Sequence, residues 1–300
     1  MGREPFIQDW ELLVRSDLAP HLLPPGKSRC VQRPADVGMI PDGARQALER
    51  GSGRHRLEDL ILLPALVRPS GPRWRRRCHY VPPCVLGLGE RGLGLWVHDP
   101  FLDTRVTLPF GAIAAVERRA DGPWRQLIIA VPGREVSVHY DASGDVPAGT
   151  WVRRLRKRCA GRPGSLPAGS RARPRSRLRD LRPLLADEAD EAVATGPRPV
   201  PWRRPCLLAV TTQEVIVSWS WPAWLPPWRP SSRTVYMPRN GVAGATARSR
   251  SLLLSTAGVS VRVRLPSRAV ASAAARCLEQ PASDSPAHGQ PGAARPQGAQ

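Results

Sequence analysis

The residues best equipped for chemistry lie in three short stretches. Gly87, Gly89 and Gly92 spell GxGxxG. In a dinucleotide site such glycines follow a strand and open a helix, whose N-terminus meets the pyrophosphate. Here Leu93-Gly94-Leu95-Trp96-Val97 follows, an apolar run that reads as a strand, so the pattern is read as a glycine hairpin. Cys78, His79 and Cys84 offer metal-ligating atoms. A structural zinc site commonly takes four ligands from paired short spacings, and no second pair stands nearby in sequence. His98-Asp99 and His139-Tyr140-Asp141 offer acid–base groups. Neither comes with a nucleophile motif, and the chain has no GxSxG, HExxH or P-loop pattern. No catalytic, cofactor-binding or metal-binding residue is expected, and an enzyme is the most distant reading.

Two other groupings point to binding. Basic residues cluster at Arg73–Arg77, Arg153–Arg158 and Arg171–Arg182. The second cluster is expected on the exposed face of a helix, opposite Trp151 and Leu155. Arg153, Arg154, Arg156, Lys157 and Arg158 are therefore the candidate anion-binding set, facing phosphates of lipid head groups or nucleic acid. The plainer reading is a solvated helix face. Trp74 is the only aromatic within these clusters, so the interleaving that marks single-strand binding is weak. Trp219, Trp221, Trp224 and Trp228 fall within ten residues, among Pro and Leu. Such a stretch either folds onto its own module or presents a wedge to a membrane interface or a partner protein.

The elements that would position these residues occur twice. Pro83–Val97 (PCVLGLGERGLGLWV) and Pro205–Trp219 (PCLLAVTTQEVIVSW) each open Pro-Cys, run apolar, cross a short turn and run apolar again. Each reads as a hairpin. Downstream, Thr104–Arg119 faces Arg233–Arg248, with Pro109 matching Pro238 and Ile113 matching Val242. Strands are expected at Gln126–Val131 and Ser251–Ser255, then at Glu135–Tyr140 and Val259–Leu265, where apolar and polar residues alternate. Each copy then ends in a helix. Thr150 is expected to cap the first, whose stripe is Trp151, Leu155 and Cys159. Ser267 is expected to cap the second, with Val270, Ala274, Cys277 and Leu278. Cys84 thus matches Cys206, and Cys159 matches Cys277. A packing role is expected for these four, with a strand-to-helix disulfide in each copy as the alternative.

Antiparallel strands followed by one C-terminal helix is the order of a pleckstrin-homology-like (PH-like) module, and both copies resemble it. Leu184–Gly196 (LLADEADEAVATG) is similar to the acidic lead-in and first strand of the bacterial versions, and Cys206–Val217 (CLLAVTTQEVIV) to their apolar hairpin. The first copy departs from the pattern, with Gly89-Glu90-Arg91-Gly92 at its turn. The likeness implies an α+β, mainly β chain of two partly open barrels, each closed at one end by its helix. The whole chain also resembles actinobacterial proteins of this type, a likeness that implies no particular activity. The expected organisation is an N-terminal helical or irregular region over 1–56, a first module over 57–160 and an Arg/Pro-rich linker over 161–183. A second module over 184–280 and a disordered tail over 281–300 complete it.

The 300 residues carry a formal charge of +20 and include 34 Pro and 26 Gly. Only Lys27 and Lys157 are lysines, so arginine supplies nearly all the positive charge, in part through the codon usage of a GC-rich genome. No apolar run reaches the roughly 18 residues that span a bilayer. The N-terminus lacks the basic start and apolar core of a signal peptide. The expectation is a cytoplasmic, non-catalytic binding or scaffold protein, without cofactor. Its ligand is a protein partner or an anionic membrane surface, with peripheral membrane association as an option. A nucleic-acid binder working through arginine is the alternative.

Overall fold

The apolar runs of both copies fold as strands, and the sequence order of each run fixes where its side chains go. The computed structural model describes residues 59–63, 66–70, 77–82, 84–97, 104–160, 193–195, 206–221 and 231–279. The first copy holds β1 (Asp59–Leu63), β2 (Leu66–Ser70), β3 (Arg77–Val81), β4 (Cys84–Leu88), β5 (Gly92–Val97) and β6 (Thr104–Pro109). It continues with β7 (Ala115–Asp121), β8 (Trp124–Val131), β9 (Arg134–Asp141) and α1 (Asp145–Cys159). The second holds β10 (Val193–Thr195), β11 (Cys206–Val210), β12 (Glu214–Trp221), β13 (Ser231–Pro238), β14 (Val242–Arg248), β15 (Ser251–Thr256), β16 (Ser260–Arg264) and α2 (Arg268–Glu279). The order from β4 to α1 therefore recurs from β11 to α2. Even the single 3-10 turn after the third strand recurs, as Phe110–Ala112 and Arg239–Gly241. The chain is mainly β with antiparallel sheets, and none of them closes on itself among the described residues. The segments 1–58, 161–192 and 280–300 lie outside the described residues. The expected helical or irregular region over 1–56, the linker over 161–183 and the tail over 281–300 fall there.

The two hairpin turns solve one problem with different chemistry. In the first, Gly89 N–H donates to the Gly92 carbonyl at 2.9 Å. A Cβ on Gly92 would lie 2.5 Å from the Leu108 carbonyl oxygen, so only glycine lets β5 approach β6 there. In the second, Thr211 N–H donates to the Glu214 carbonyl at 2.9 Å, and the Thr211 hydroxyl accepts from the N–H groups of Gln213 and Glu214. The glycines of the GxGxxG pattern thus serve an antiparallel hairpin. A strand follows them, with no helix N-terminus to meet a phosphate.

The sheets are not confined to the copies. β1-β4-β5-β6 and β14-β15-β16 each belong to one copy. A seven-stranded sheet, β10-β11-β12-β13-β7-β8-β9, spans both. Its seam is the antiparallel pair β13–β7, from Ser231 opposite Asp121 to Tyr236 opposite Val116. Alternation along each strand then sends neighbours to different cores. Val116, Leu127, Ile129, Ala209, Ile216 and Tyr236 lie in the first core, with Trp151 and Leu155 of α1. Ala115, Ala130, Val215, Val217, Val235 and Met237 lie in the second, with Ala271 and Ala275 of α2. The sheet is a wall shared by two cores. That is why 215–217 (VIV) and 235–237 (VYM) are apolar at every position instead of every second one.

Two further contacts fasten the copies. Gly258, in the β15–β16 turn, sits so close to the β8–β9 turn that a Cβ would lie 2.9 Å from the Val131 carbonyl oxygen. Arg156 of α1, on the first-core face of the wall, bonds Glu214 of the second hairpin. Its Nε donates at 3.0 Å and its second terminal nitrogen donates to the other carboxylate oxygen. The guanidinium lies 3.7 Å from the Tyr236 ring centroid, and both charged side chains are buried.

The helix expectations divide. Trp151, Leu155 and Cys159 face inward as the four-residue spacing implies. Thr150 does not cap the helix, which begins at Asp145. Its hydroxyl instead donates to the Val146 carbonyl one turn back. Asp145 sits in the first turn, where its charge suits the helix dipole, and accepts from Arg118 and Arg125. Ser267 does cap α2, accepting from Val270 N–H at 3.2 Å. Cys84, Cys159, Cys206 and Cys277 are all buried free thiols, which removes the disulfide alternative. Burial raises the thiol pKa of each, to about 12 for Cys159 and Cys206.

Candidate ligand cleft at the seam

The β13–β7 pair places polar ends of four strands side by side. Trp219 on β12, Arg233 on β13, Arg119 on β7 and Gln126 on β8 form one continuous row across the sheet. Alternation puts them on the face that, two residues along, enters the second core. Glu117 stands opposite Val235 and is buried beneath the row. A buried carboxylate needs partners, and two arginines supply them. Arg233 donates from Nε at 2.7 Å and from a terminal nitrogen at 3.0 Å, and Arg119 donates from Nε. The bond to Glu117 outweighs burial and holds the Arg119 guanidinium above its ordinary pKa.

The arrangement leaves donors pointing outward. Arg119 and Arg233 are 45% and 43% exposed. Beyond Glu117, no described acidic group pairs with either. Arg233 also lies 5.2 Å from the centroid of the half-buried Trp219 ring, a cation–π distance. Together with Trp124, Asp121 and Gln126 these residues line an open cleft of about 290 Å³. That is at the small end for a ligand pocket. It has room for a side chain or two and offers fixed guanidinium donors beside the indoles of Trp124 and Trp219. On the opposite sheet face, Arg118 and Arg125 are held by Asp145, and Ser218 bonds Thr234 at 2.9 Å.

The residues expected to bind are dispersed. In the basic set on α1, Arg153, Arg154, Lys157 and Arg158 are exposed, but Arg154 pairs with Asp59 at 2.8 Å. Arg156 is not on that face at all. Helical geometry turns it inward with Leu155, onto Glu214 and Tyr236, where it cannot meet an external anion. Of the four tryptophans, Trp219 joins the cleft. Trp221 is the last residue of β12, and its side chain lies outside the described residues, as do Trp224 and Trp228. Arg73–Trp74, His98-Asp99 and Arg171–Arg182 lie outside them too. Cys78 and His79 are described only as backbone of β3. Tyr140 is buried in the first core, and Asp141 caps the 3-10 turn before α1, accepting from Ser143 N–H at 2.9 Å.

Sequence reading missed Arg119, Arg233, Glu117 and Trp124. Glu117 and Arg233 are 116 positions apart and meet only through the seam. The one local signal was a glutamate in the apolar strand AAVER. These observations define a mainly β protein of antiparallel sheets with a cleft where its two copies join. Comparison with protein-family models and with curated proteins finds no match.

Proposed function

We infer that the chain is a non-catalytic binding or scaffold protein made of two PH-like modules, and that its seam cleft holds a short segment of a partner protein. The recurring order of strands and helix supports the module reading. The observation that carries the binding reading is the pair Arg119 and Arg233, anchored on buried Glu117 with guanidinium edges exposed between Trp124 and Trp219. Fixed guanidinium donors suit a carboxylate, and the indoles suit an apolar or aromatic neighbour. Aromatic and arginine anchors are the residue types that dominate binding energy at protein interfaces. The small cleft favours anchoring one or two side chains of an extended segment over enclosing a cofactor.

A fluorescence-anisotropy screen of labelled peptides pairing Asp or Glu with an aromatic residue tests this. Peptides bound by the wild type lose at least about tenfold in affinity on Arg119→Ala plus Arg233→Ala, and on Trp219→Ala, a loss of the size an interface anchor supplies. Binding that survives both changes, or no selection of acidic peptides over neutral ones, rejects the reading.

A further inference from the structure

The outer face of β14-β15-β16 gathers four arginines that are far apart in sequence. Strand pairing sets Arg248, Ser251 and Arg264 in one row, and Thr246, Leu253 and Arg262 in the next. Arg250 stands in the turn beside them, next to Ser249, whose φ of 54° makes the tight hairpin tip. The inward positions of the same strands, Leu252, Leu254, Val261 and Val263, fill the second core, so alternation forces the arginines outward. All four are exposed around a shallow depression. Among the described residues none of them forms an ion pair. Residues 231–279 hold eight arginines and a single acid, Glu279. Strands lie about 4.8 Å apart, so Arg248 and Arg264 are roughly 10 Å from each other.

Counted from its β7–β8 turn, the first copy's row is Asp121, Trp124 and Asp141, and its next row is Arg119, Gln126 and His139. Next to the turn, the first copy thus places acids where the second places Arg248 and Arg264. Leu253 adds a second feature: it is 43% exposed, one of the two large apolar side chains left exposed among the described residues.

We propose that this face of the second copy docks on an anionic lipid bilayer, with Arg248, Arg250, Arg262 and Arg264 on lipid phosphates and Leu253 entering the head-group boundary. A sheet face bearing exposed cations beside an exposed leucine complements such a surface. The patch has no aromatic ring to stack on bases, which favours lipid over single-stranded nucleic acid. Each basic side chain near an anionic leaflet is worth about fivefold in partitioning, so four are worth several hundredfold.

The test is vesicle flotation of the full chain at physiological salt. Vesicles of phosphatidylcholine with phosphatidylserine are compared with phosphatidylcholine alone. The wild type floats with the mixed vesicles only. Arg248→Asp plus Arg264→Asp, which installs the residues of the first copy, weakens partitioning by about 25-fold or more. Leu253→Gln weakens it a few-fold. Arg91→Asp plus Arg134→Asp, the same charge change at two exposed arginines elsewhere, leaves it within about threefold, and urea midpoints confirm that each variant is folded. Three results overturn the proposal: equal binding to neutral vesicles, unchanged binding of the Arg248/Arg264 variant, or equal loss in the control pair. A fourth is a wild type that ignores both vesicles but binds duplex DNA through the same arginines.

Discussion

Replacing Glu214 by alanine leaves the Arg156 guanidinium buried without its counter-charge. The wild-type pair is 5% and 7% exposed, doubly hydrogen-bonded and stacked on Tyr236, so water cannot easily take the place of the carboxylate. Stranding one member of such a pair costs about 3–5 kcal/mol. That is a large share of the roughly 5–15 kcal/mol that holds a domain folded. Arg156→Met keeps much of the apolar stem but strands Glu214 instead. The double variant leaves no buried charge and recovers part of the loss, giving a coupling energy of about 2–3 kcal/mol. Equilibrium urea unfolding followed by far-UV circular dichroism and by tryptophan fluorescence measures all four proteins. The cost in Glu214→Ala should persist at high salt, because buried charges are little screened. A loss below about 1 kcal/mol in that variant, or a cycle with no coupling, refutes the claim that this pair locks α1 to the second copy.

Other outcomes follow from the packing. Gly258→Ala pushes a methyl against the Val131 carbonyl and destabilises by about 1–3 kcal/mol in urea unfolding. Gly244→Ala, where the space is open, stays within about 1 kcal/mol of wild type or gains stability. In a Cys30→Ala, Cys78→Ala background, the four buried thiols resist a thiol-specific chromogenic reagent at pH 8 and react once the chain is unfolded. Their folded pKa values lie above the unfolded ones. The stability they contribute is therefore full below the ordinary thiol range. It falls as pH rises from about 9 towards 12, the value to which burial lifts Cys159 and Cys206. A urea midpoint that rises over that range contradicts the assignment.

The local elements were legible because their causes are local. The two Pro-Cys hairpins, the alternation in β9 and β16 and the inward stripe of α1 all follow from periodicity within a few residues. The start of α1 was missed because Thr150 is a good capping residue by type, whereas Gly144 offers no side chain to accept from the helix. The seam was missed for a different reason. Nothing near Ser231–Tyr236 states that its partner is Val116–Asp121, and the pairing is fixed only when both cores close. Its trace was the unbroken apolar runs at 215–217 and 235–237, which a half-buried strand does not need and a strand buried on both faces does. Arg156 illustrates the same limit. It reads as one of five basic residues on a helix, and only the helix's rotation onto the shared wall separates it from Arg153 and Arg154.

Amide hydrogen exchange of the full chain tests the shared wall most directly. If both copies close on one sheet, the seam amides of β7 and β13 exchange only through global unfolding, at the slowest rate in the molecule and together with β5 and β15. Seam amides that exchange well before those of β5 and β15 would show that the copies part while each stays folded. The wall, and the cleft built on it, would then not be a fixed part of the protein.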